Sequence, residues 1–419
     1  MAISGGIDSV VLAHLCKKAS LDFSLAHCNF NLRGKESDED TVFLEELSKK
    51  LGVPLFVEVF DTKKFAEENK LSIQVAAREL RYDWFQKLSQ TLGFDYVLTA
   101  HHANDNLETF LINTLRGTGL EGLTGIPEQN GNILRPLLPF SRKEIEAFAK
   151  TEKITWREDS SNASDKYLRN KIRHQIVPIL EEENPQLLEI FANTQNHLQD
   201  ASDLLKEYSK ILIDEIVDRK GEELHFNIQK TQAKSNPKAV LYQLLKAYGF
   251  SEWENVTDLL SAQPGKMLFS ATHRLVKDRE VLILTDKIPQ KNADRTIEIT
   301  KKNTEVSFPF GKIKIEEFDN FHKSDKNEIY VEKNAIKFPL KLRKWKKGDY
   351  FYPFGMTGRK KVSDFLKNEK FSLPEKEKVW LLLSDNKIVW ILGQRADNRF
   401  KVKENSQEIL KITCLPKYG

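Results

Sequence analysis

Six residues near the start of the chain, Ser4-Gly5-Gly6-Ile7-Asp8-Ser9, have the types and spacing to hold a phosphate. Two glycines let backbone N–H groups approach an anion closely, and a helix starting there adds the positive end of its dipole. Ser4 and Ser9 offer hydroxyls to the same anion, and Asp8 is placed to hold Mg²⁺ rather than phosphate. The Gly-Lys-Ser/Thr ending of a Walker loop is absent, so this is a phosphate loop of another kind. Further along, His101, Asp105 and Glu108 stand at i, i+4 and i+7. On a helix that spacing carries all three on one face.

The elements that must position these groups are readable as alternating short apolar runs and helical periodicity over the first 180 or so residues. Helices are expected at Ser9–Lys18, Ser37–Leu51, Ile73–Leu92 and Asn104–Arg116, and strands at Phe23–His27, Leu55–Val59 and Tyr96–Ala100. This order belongs to an α/β fold with a doubly wound parallel sheet, whose ligands sit at the carboxyl ends of the strands. Beyond Pro185 the pattern changes. Helical stretches around Leu187–Val217 and Lys238–Leu260, then a hairpin-like Lys266–Leu284, predict a mainly helical middle domain. The expected division is 1–182, 185–290, a linker with short strands at 291–335, and a small α/β module at 336–419.

Composition narrows the function classes. Hydrophobic residues at 40% and charged ones at 30% describe a soluble globular protein. No run approaches the roughly 18 apolar residues of a membrane helix, and the start does not resemble a signal peptide. Cys16, Cys28 and Cys414 form no CxxC pair, which argues against zinc or an iron–sulfur cluster, and a cytoplasmic location follows as the default. The net charge of +4 is unevenly spread: from Ile336 onward there are 20 Lys+Arg against 9 Asp+Glu, leaving 45 against 52 before it. A basic terminal module on a mildly acidic body fits either a polyanionic partner such as nucleic acid or a solvated lysine-rich surface.

The hexapeptide resembles the SGGxDS loop of the N-type ATP pyrophosphatases, which split ATP between its α- and β-phosphates and adenylate a substrate. Further segments resemble the tRNA(Ile)-lysidine synthetases among them. Ala26-His27-Cys28-Asn29-Phe30-Asn31-Leu32-Arg33-Gly34 is similar to AHxNHxLRG, with Phe30 or Asn31 in place of the second histidine. Ala77-Arg78-Glu79-Leu80-Arg81-Tyr82 matches ARxxRY, and the stretch from Thr99 to Thr109 is similar to TAHHxDDxxET, with Asn104 replacing the first acid. Arg116-Gly117-Thr118-Gly119-Leu120, Gly122-Leu123-Thr124-Gly125-Ile126, Arg135-Pro136-Leu137-Leu138, Arg157 to Asn162 and Arg169 to Arg173 follow in order. Together they cover nearly all of residues 2–180. The middle module carries a weaker likeness, at Gly265-Lys266-Met267 and Leu275 to Arg279, and the last module resembles the family's C-terminal patterns at Arg343 to Met356, Lys360 to Leu366 and Gly393 to Phe400.

The resemblance implies an adenine nucleotide α-hydrolase-like domain and a two-step reaction. ATP adenylates the wobble cytidine of a CAU-anticodon tRNA(Ile), and L-lysine then displaces AMP. By the same resemblance Ser4, Gly5, Gly6, Ile7, Asp8, Ser9 and Arg78 bind ATP, and Asp8 with Asp105 share one Mg²⁺. The catalytic set is Asp8, His101, Asp105, Glu108 and Arg116. His101 donates to the transferring phosphate, and Glu108 reaches the ion through water or acts on the incoming amine. Arg169, Arg173, Lys344, Lys346, Lys347, Arg359, Lys360 and Lys361 contact tRNA. Asp159, Ser160 and Asn162 either line a lysine pocket or form a plain loop. Phe351, Phe354 and Phe365 read as core. ATP, Mg²⁺, tRNA and lysine are the expected ligands, with no membrane partner and a homodimer left open.

Two rivals remain at this stage: a tRNA thiolation enzyme with the same loop, which would want paired cysteines, and a tRNA-binding protein whose ATP loop has decayed. Only three residues precede Ser4, whereas a strand needs about five. A longer N-terminus upstream of Met1 is therefore expected.

Overall fold

In a computed structural model, the described residues are 1–158, 168–287, 296–318, 326–403, 406 and 408–416. Asp159, Ser160 and Asn162 lie outside them. The chain divides into two compact units, Met1–Glu207 and Tyr208–Gly419.

The first unit runs α1 (Ile7–Lys18), β1 (Leu25–Asn29), α2 (Lys35–Leu51), β2 (Leu55–Val59), α3 (Thr62–Asn69), α4 (Ile73–Leu92), β3 (Val97–Leu98) and α5 (Ala103–Arg116). It continues with α6 (Leu120–Leu123), β4 (Gln129–Asn130), β5 (Ile133–Leu134), α7 (Arg142–Thr151), α8 (Leu168–Lys171), α9 (Val177–Glu183) and the long α10 (Leu187–Ile216), which passes into the second unit. A π-helical turn, Ile172–Ile176, joins α8 to α9. Pro178, within the first turn of α9, offers no N–H to that turn, a local reason for the helix to widen there. Helix α3 was not expected from periodicity, although Asp61 caps it by accepting from the Lys64 N–H at 3.2 Å.

Residues 1–3 complete the sheet. The Ala2 N–H donates to the Leu98 carbonyl at 2.8 Å, and the Ile3 N–H donates to the Ala26 carbonyl at 3.0 Å. Ala2 pairs with Ala26 in parallel, β1 with β2 in parallel, and β3 with β5 in parallel. The spatial order is therefore β2, β1, residues 1–3, β3, β5 and β4, with β4 antiparallel at the edge. The chain leaves its first strand and reverses direction across the sheet, so the crevice between residues 1–3 and β3 is the topological switch point.

Side-chain alternation sets the two faces. Ile3, Leu25 and Leu98 pack with Ile7, Val10, Val11, Leu44 and Ile145 under α1, α2 and α7. Their neighbours Ala2, Ala26 and Val97 pack with Phe85 and Tyr82 of α4. Val10, Val11 and Leu12 are essentially fully buried. At about 1.5–3 kcal/mol per buried aliphatic side chain, they anchor the phosphate-loop helix firmly.

The second unit begins with β6 (Val217–Lys220), β7 (Glu223–Asn227), α11 (Ile228–Gln232), α12 (Pro237–Leu245), α13 (Trp253–Asp258), β8 (Met267–Phe269), β9 (His273–Asp278) and β10 (Val281–Asp286). The expected hairpin is part of a five-stranded antiparallel sheet ordered β6-β7-β10-β9-β8, and the helices bury Leu241, Leu245 and Leu259 with Phe226 and Leu282. The chain continues through β11 (Ile297–Ile299), β12 (Glu305–Phe308), β13 (Gly311–Phe318), β14 (Glu328–Glu332), β15 (Leu340–Lys344), β16 (Tyr350–Phe351) and β17 (Lys360–Lys361). Last come α14 (Val362–Asn368), α15 (Leu373–Glu377), β18 (Trp380–Ser384), β19 (Lys387–Ile391), β20 (Arg395–Ala396) and β21 (Ile409–Pro416).

Two sheets, β11-β15-β18-β19-β20 and β12-β13-β21-β14, share a core of Ile313, Leu342, Trp380, Leu382, Trp390 and Ile412. On the other face of β18, Leu381 and Leu383 pack with Phe351, Val362 and Phe365. Every residue of β18 is buried, as befits a central strand covered on both faces. Among the described residues no helix is long and apolar enough to cross a membrane.

Candidate active site

The phosphate loop is built as its residue types suggest, and it closes into α1 two residues earlier than expected. Gly6 is the N-cap, so Ile7 and Asp8 already belong to the first turn. Gly5 has φ +90°, a conformation that L side chains rarely adopt. Ser4 and Ser9 face one another: the Ser4 N–H donates to Ser9 Oγ at 3.1 Å, and the two hydroxyls lie 3.2 Å apart. The Ser9 hydroxyl donates to the Gly6 carbonyl at 3.0 Å. These bonds hold the loop open around the helix N-terminus, where an anion is favoured.

Across the crevice, β3 ends and the chain turns through His101 and His102 into α5. The helix begins at Ala103 with His102 as its cap, so the 3.6-residue repeat carries Asp105 and Glu108 but does not extend back to His101. His101 reaches the site from the turn instead. The His102 N–H donates to Asp105 Oδ2 at 3.1 Å, and His102 Nε2 lies 3.5 Å from Asp105 Oδ2 and 3.8 Å from Asp8 Oδ1. One imidazole thus brings the loop's carboxylate and the helix's carboxylate to a single locus. Among the described residues no third acid or histidine joins the two carboxylates in a metal-holding group, so further ligands of a cation such as Mg²⁺ would have to be water or phosphate oxygens.

Arginines surround these acids. Arg142, at the start of α7, donates through Nη1 to Asp8 Oδ1 at 2.7 Å and Oδ2 at 2.6 Å. Arg169 donates to Glu108 Oε2 at 2.7 Å and Asp105 Oδ1 at 3.1 Å. Arg173 donates to Glu108 Oε1 at 2.6 Å and Asp105 Oδ1 at 3.0 Å. Glu108 is 1% exposed, so two guanidinium groups compensate a carboxylate buried at the centre of the cluster. Burial works to raise the Asp105 carboxyl. The opposing pull of His102, Arg169, His101 and Arg173 outweighs it and keeps the group below the usual carboxylate range. Burial pushes His101 down to about 4, with Asp105 acting upward and Arg135, Arg169 and Arg78 adding to the fall. His101 is therefore neutral near pH 7, with Nδ1 3.1 Å from Thr99 Oγ1.

Other expected residues fall elsewhere. Arg116 ends α5, so about 20 Å of helix separates it from the cap at His102. It is exposed, and the structure does not bring it to the carboxylates. Arg78 is also exposed, its guanidinium 4.9 Å from the Tyr82 ring centre. Arg169 and Arg173, expected to contact tRNA, direct their donors at Asp105 and Glu108. Glu108, enclosed by both, is not open to an incoming amine. Asn104, at the position of the first acid of the motif, accepts from the Arg142 N–H at 2.9 Å and donates to Glu181 at 3.2 Å, so it holds the start of α7 beside the site.

Several contributors were missed by reading the chain locally. Arg142 is the foremost; its position just after the Ser141–Glu144 capping box was the available signal. Asn106 accepts from the Ile126 N–H at 2.7 Å and from Gln195 Nε2 at 3.2 Å, tying α5 to α10 and to the Gly125 turn. A Cβ on Gly125 would meet Gln195 Nε2 at 2.0 Å, which explains the glycine in that motif. Among the described residues, His27 Nε2 and His102 Nδ1 are buried without a hydrogen-bond partner. The other ring nitrogen of His27 lies 3.0 Å from the carbonyl of Ile3, directly before the loop.

In the second unit the basic residues gather around the β16–β17 ribbon, where Tyr350 pairs with Lys361 and Phe351 with Lys360. Lys346, Lys347, Arg359 and Lys361 are exposed, and Lys344 and Lys360 are half-buried. Arg359 lies 5.6 Å from the Tyr350 ring centre, and Arg399, another residue not singled out beforehand, lies 4.6 Å from Tyr352. Phe351 and Phe365 are core as expected, but Phe354 is 48% exposed beside Met356. Cys16 and Cys414 are buried and Cys28 is half-buried; all three are free, leaving no cysteine pair for thiolation chemistry.

A doubly wound sheet with a phosphate loop and facing carboxylates at its switch point defines an ATP-using domain of the PP-loop class. Family comparison agrees: a PP-loop domain matches residues 1–180, a TilS substrate binding domain 219–288, and a TilS substrate C-terminal domain 340–413. The chain is 39% identical to tRNA(Ile)-lysidine synthase of Parabacteroides distasonis, over 99% of this chain and 95% of that one. It is 37% identical to the enzyme of the same name from Bacteroides thetaiotaomicron, over 98% and 93%. It is 30% identical to that of Caldanaerobacter subterraneus, over 98% and 92%. The chain belongs to the tRNA(Ile)-lysidine synthase family.

Proposed function

We propose that this protein joins the ε-amine of L-lysine to C2 of the wobble cytidine in CAU-anticodon tRNA(Ile), in the cytoplasm, using ATP. In the first step the cytidine O2 attacks the α-phosphorus and pyrophosphate leaves. In the second, the lysine nitrogen attacks C2 of the adenylated base, loses a proton, and AMP departs. The reading rests on one observation above all: the SGGIDS loop and the Asp105 helix meet at one locus in a chain related to lysidine synthases over its whole length.

The backbone N–H groups of Gly5, Gly6 and Ile7 and the hydroxyls of Ser4 and Ser9 hold the phosphates at the start of α1. Asp8 and Asp105 would hold Mg²⁺, which neutralises charge on the phosphates when bound. Neutral His101 donates a hydrogen bond to the transferring phosphate from the ring edge away from Thr99. Glu108 acts through Arg169 and Arg173, fixing two cations beside the reacting phosphate. Catalysis on this reading is positioning and charge stabilisation, and no side chain becomes covalently attached. The exposed Lys346, Lys347, Arg359 and Lys361 follow the tRNA backbone.

The test is incorporation of labelled lysine into an unmodified CAU-anticodon tRNA(Ile) transcript with ATP and Mg²⁺, beside Asp105→Ala. Incorporation by the native chain and its loss in the variant are expected. A native chain that binds tRNA yet incorporates no lysine would refute the assignment.

A further inference from the structure

Within the second unit, the segments matching the two substrate domains meet through an unusual set of charges. Arg274 of β9, only 7% exposed, places Nη1 2.9 Å from Glu377 Oε1 and Nη2 2.6 Å from Glu377 Oε2 at the end of α15. The next residue, Lys378, donates to Glu223 Oε1 of β7 at 2.6 Å. Glu223 is itself buried, and its other oxygen lies 3.1 Å from His225 Nε2. Arg279 adds a bond to the Lys370 carbonyl at 2.5 Å.

Both sides of this contact are rigidly built. Arg274 is oriented by its Nε donating to Thr285 Oγ1 at 2.9 Å, and Thr285 is its partner across β10. Glu223 stands one residue before Leu224, the partner of Leu284, so acid and base sit at the same end of the sheet. On the other side, Ser372 and Glu375 form a capping box, with the Ser372 N–H donating to Glu375 Oε2 at 2.7 Å and Pro374 in the first turn. The sheet thus offers a base and an acid, and α15 answers with an acid and a base in complementary order. A shifted docking would oppose like charges.

Burying the charges of Arg274 and Glu223 is a poor route to stability alone, since apolar residues would do as well or better. What a two-point charge pattern supplies is a single docking geometry. We infer that Arg274–Glu377 and Glu223–Lys378 are positioning residues that set the 219–288 and 340–413 segments at one fixed angle, so that the tRNA meets a preformed surface. The inference rests on the tRNA-modifying reading above.

The experiment compares the full-length native chain with Glu377→Lys, Arg274→Glu and the double swap, measuring lysine incorporation at varied tRNA and at varied ATP. Glu377→Lys is expected to raise KM for tRNA roughly tenfold, with kcat and KM for ATP within about twofold, and the swap to recover most of the loss. Should Arg274→Glu prove unfolded by circular dichroism, Glu377→Gln and Lys378→Gln carry the test; both act on the more exposed partners, and each is expected to raise KM for tRNA severalfold. An unchanged KM for tRNA in a folded variant overturns the inference, as does a rise that the folded swap does not reverse. Absence of incorporation by the native chain is a different failure, that of the functional reading itself.

Discussion

Arg142 Nη1 bridges both carboxylate oxygens of Asp8, at 2.7 and 2.6 Å, although 134 residues separate the two in sequence. Asp8 is the acid of the phosphate loop, and Arg142 heads the helix that flanks it. A cation that takes up Asp8 must therefore displace a guanidinium already there.

That competition has a measurable result. Arg142→Gln is expected to tighten Mn²⁺ binding to the ATP-free protein by several-fold to about tenfold, since a neutral amide competes less well for the carboxylate. The free Mn²⁺ signal in electron paramagnetic resonance reports it directly. Equal affinity in the variant and the native chain would show that Asp8 does not receive the ion.

Glu108 is expected to be structural before it is chemical. Glu108→Gln removes the charge that balances Arg169 and Arg173, but both keep Asp105 and are more than one-third exposed, so the expected cost is about 1–3 kcal/mol. Urea denaturation should show a clear fall in midpoint. A variant that unfolds at the native midpoint yet turns over no substrate would place Glu108 in the chemistry instead.

His101 gives a pH signature. Its folded value of about 4 lies below the ordinary histidine value of 6.5, so between those limits the unfolded chain binds the extra proton. Its contribution to stability is complete above about pH 6.5 and is lost as pH falls toward 4. Melting temperature should decline over that window, and His101→Gln should flatten the decline. If the native slope persists in the variant, the titrating group is another one.

The parts of the site that were legible in sequence are those whose logic is local. Ser4 to Ser9 specify a phosphate loop through six contiguous types, and Asp105 and Glu108 declare a shared face through helical spacing. His101 was placed on that face because the periodicity does not reveal that His102 caps the helix. Arg142 is hidden for another reason: the Ser141–Glu144 capping box marks it as the first residue of a helix, but only the fold aims it at Asp8 rather than at solvent. Arg169 and Arg173 read in sequence as tRNA contacts, and only the fold turns them, from α8 and from the π-helical turn after it, onto Asp105 and Glu108. Strand β6 escaped notice because Asp218, Arg219 and Lys220 are exposed, so the edge strand lacks an apolar alternation.

The basic ribbon of the second unit makes the last prediction, and it separates backbone contact from mere surface charge. Lys346, Lys347, Arg359 and Lys361 are exposed; Lys361 pairs with Tyr350 across the ribbon and Arg359 lies over its ring. A lysine or arginine that neutralises a phosphate releases a counterion, so each such residue adds roughly 0.7–0.9 to the slope of log affinity against log salt. Replacing Lys346 and Lys347 together by alanine should weaken tRNA binding and lower that slope by between one and two, measured by filter binding over a range of KCl. Two lysines that only solvate the surface would leave the slope unchanged, and tRNA contact would then have to be sought at Arg359, Lys361 and Arg399.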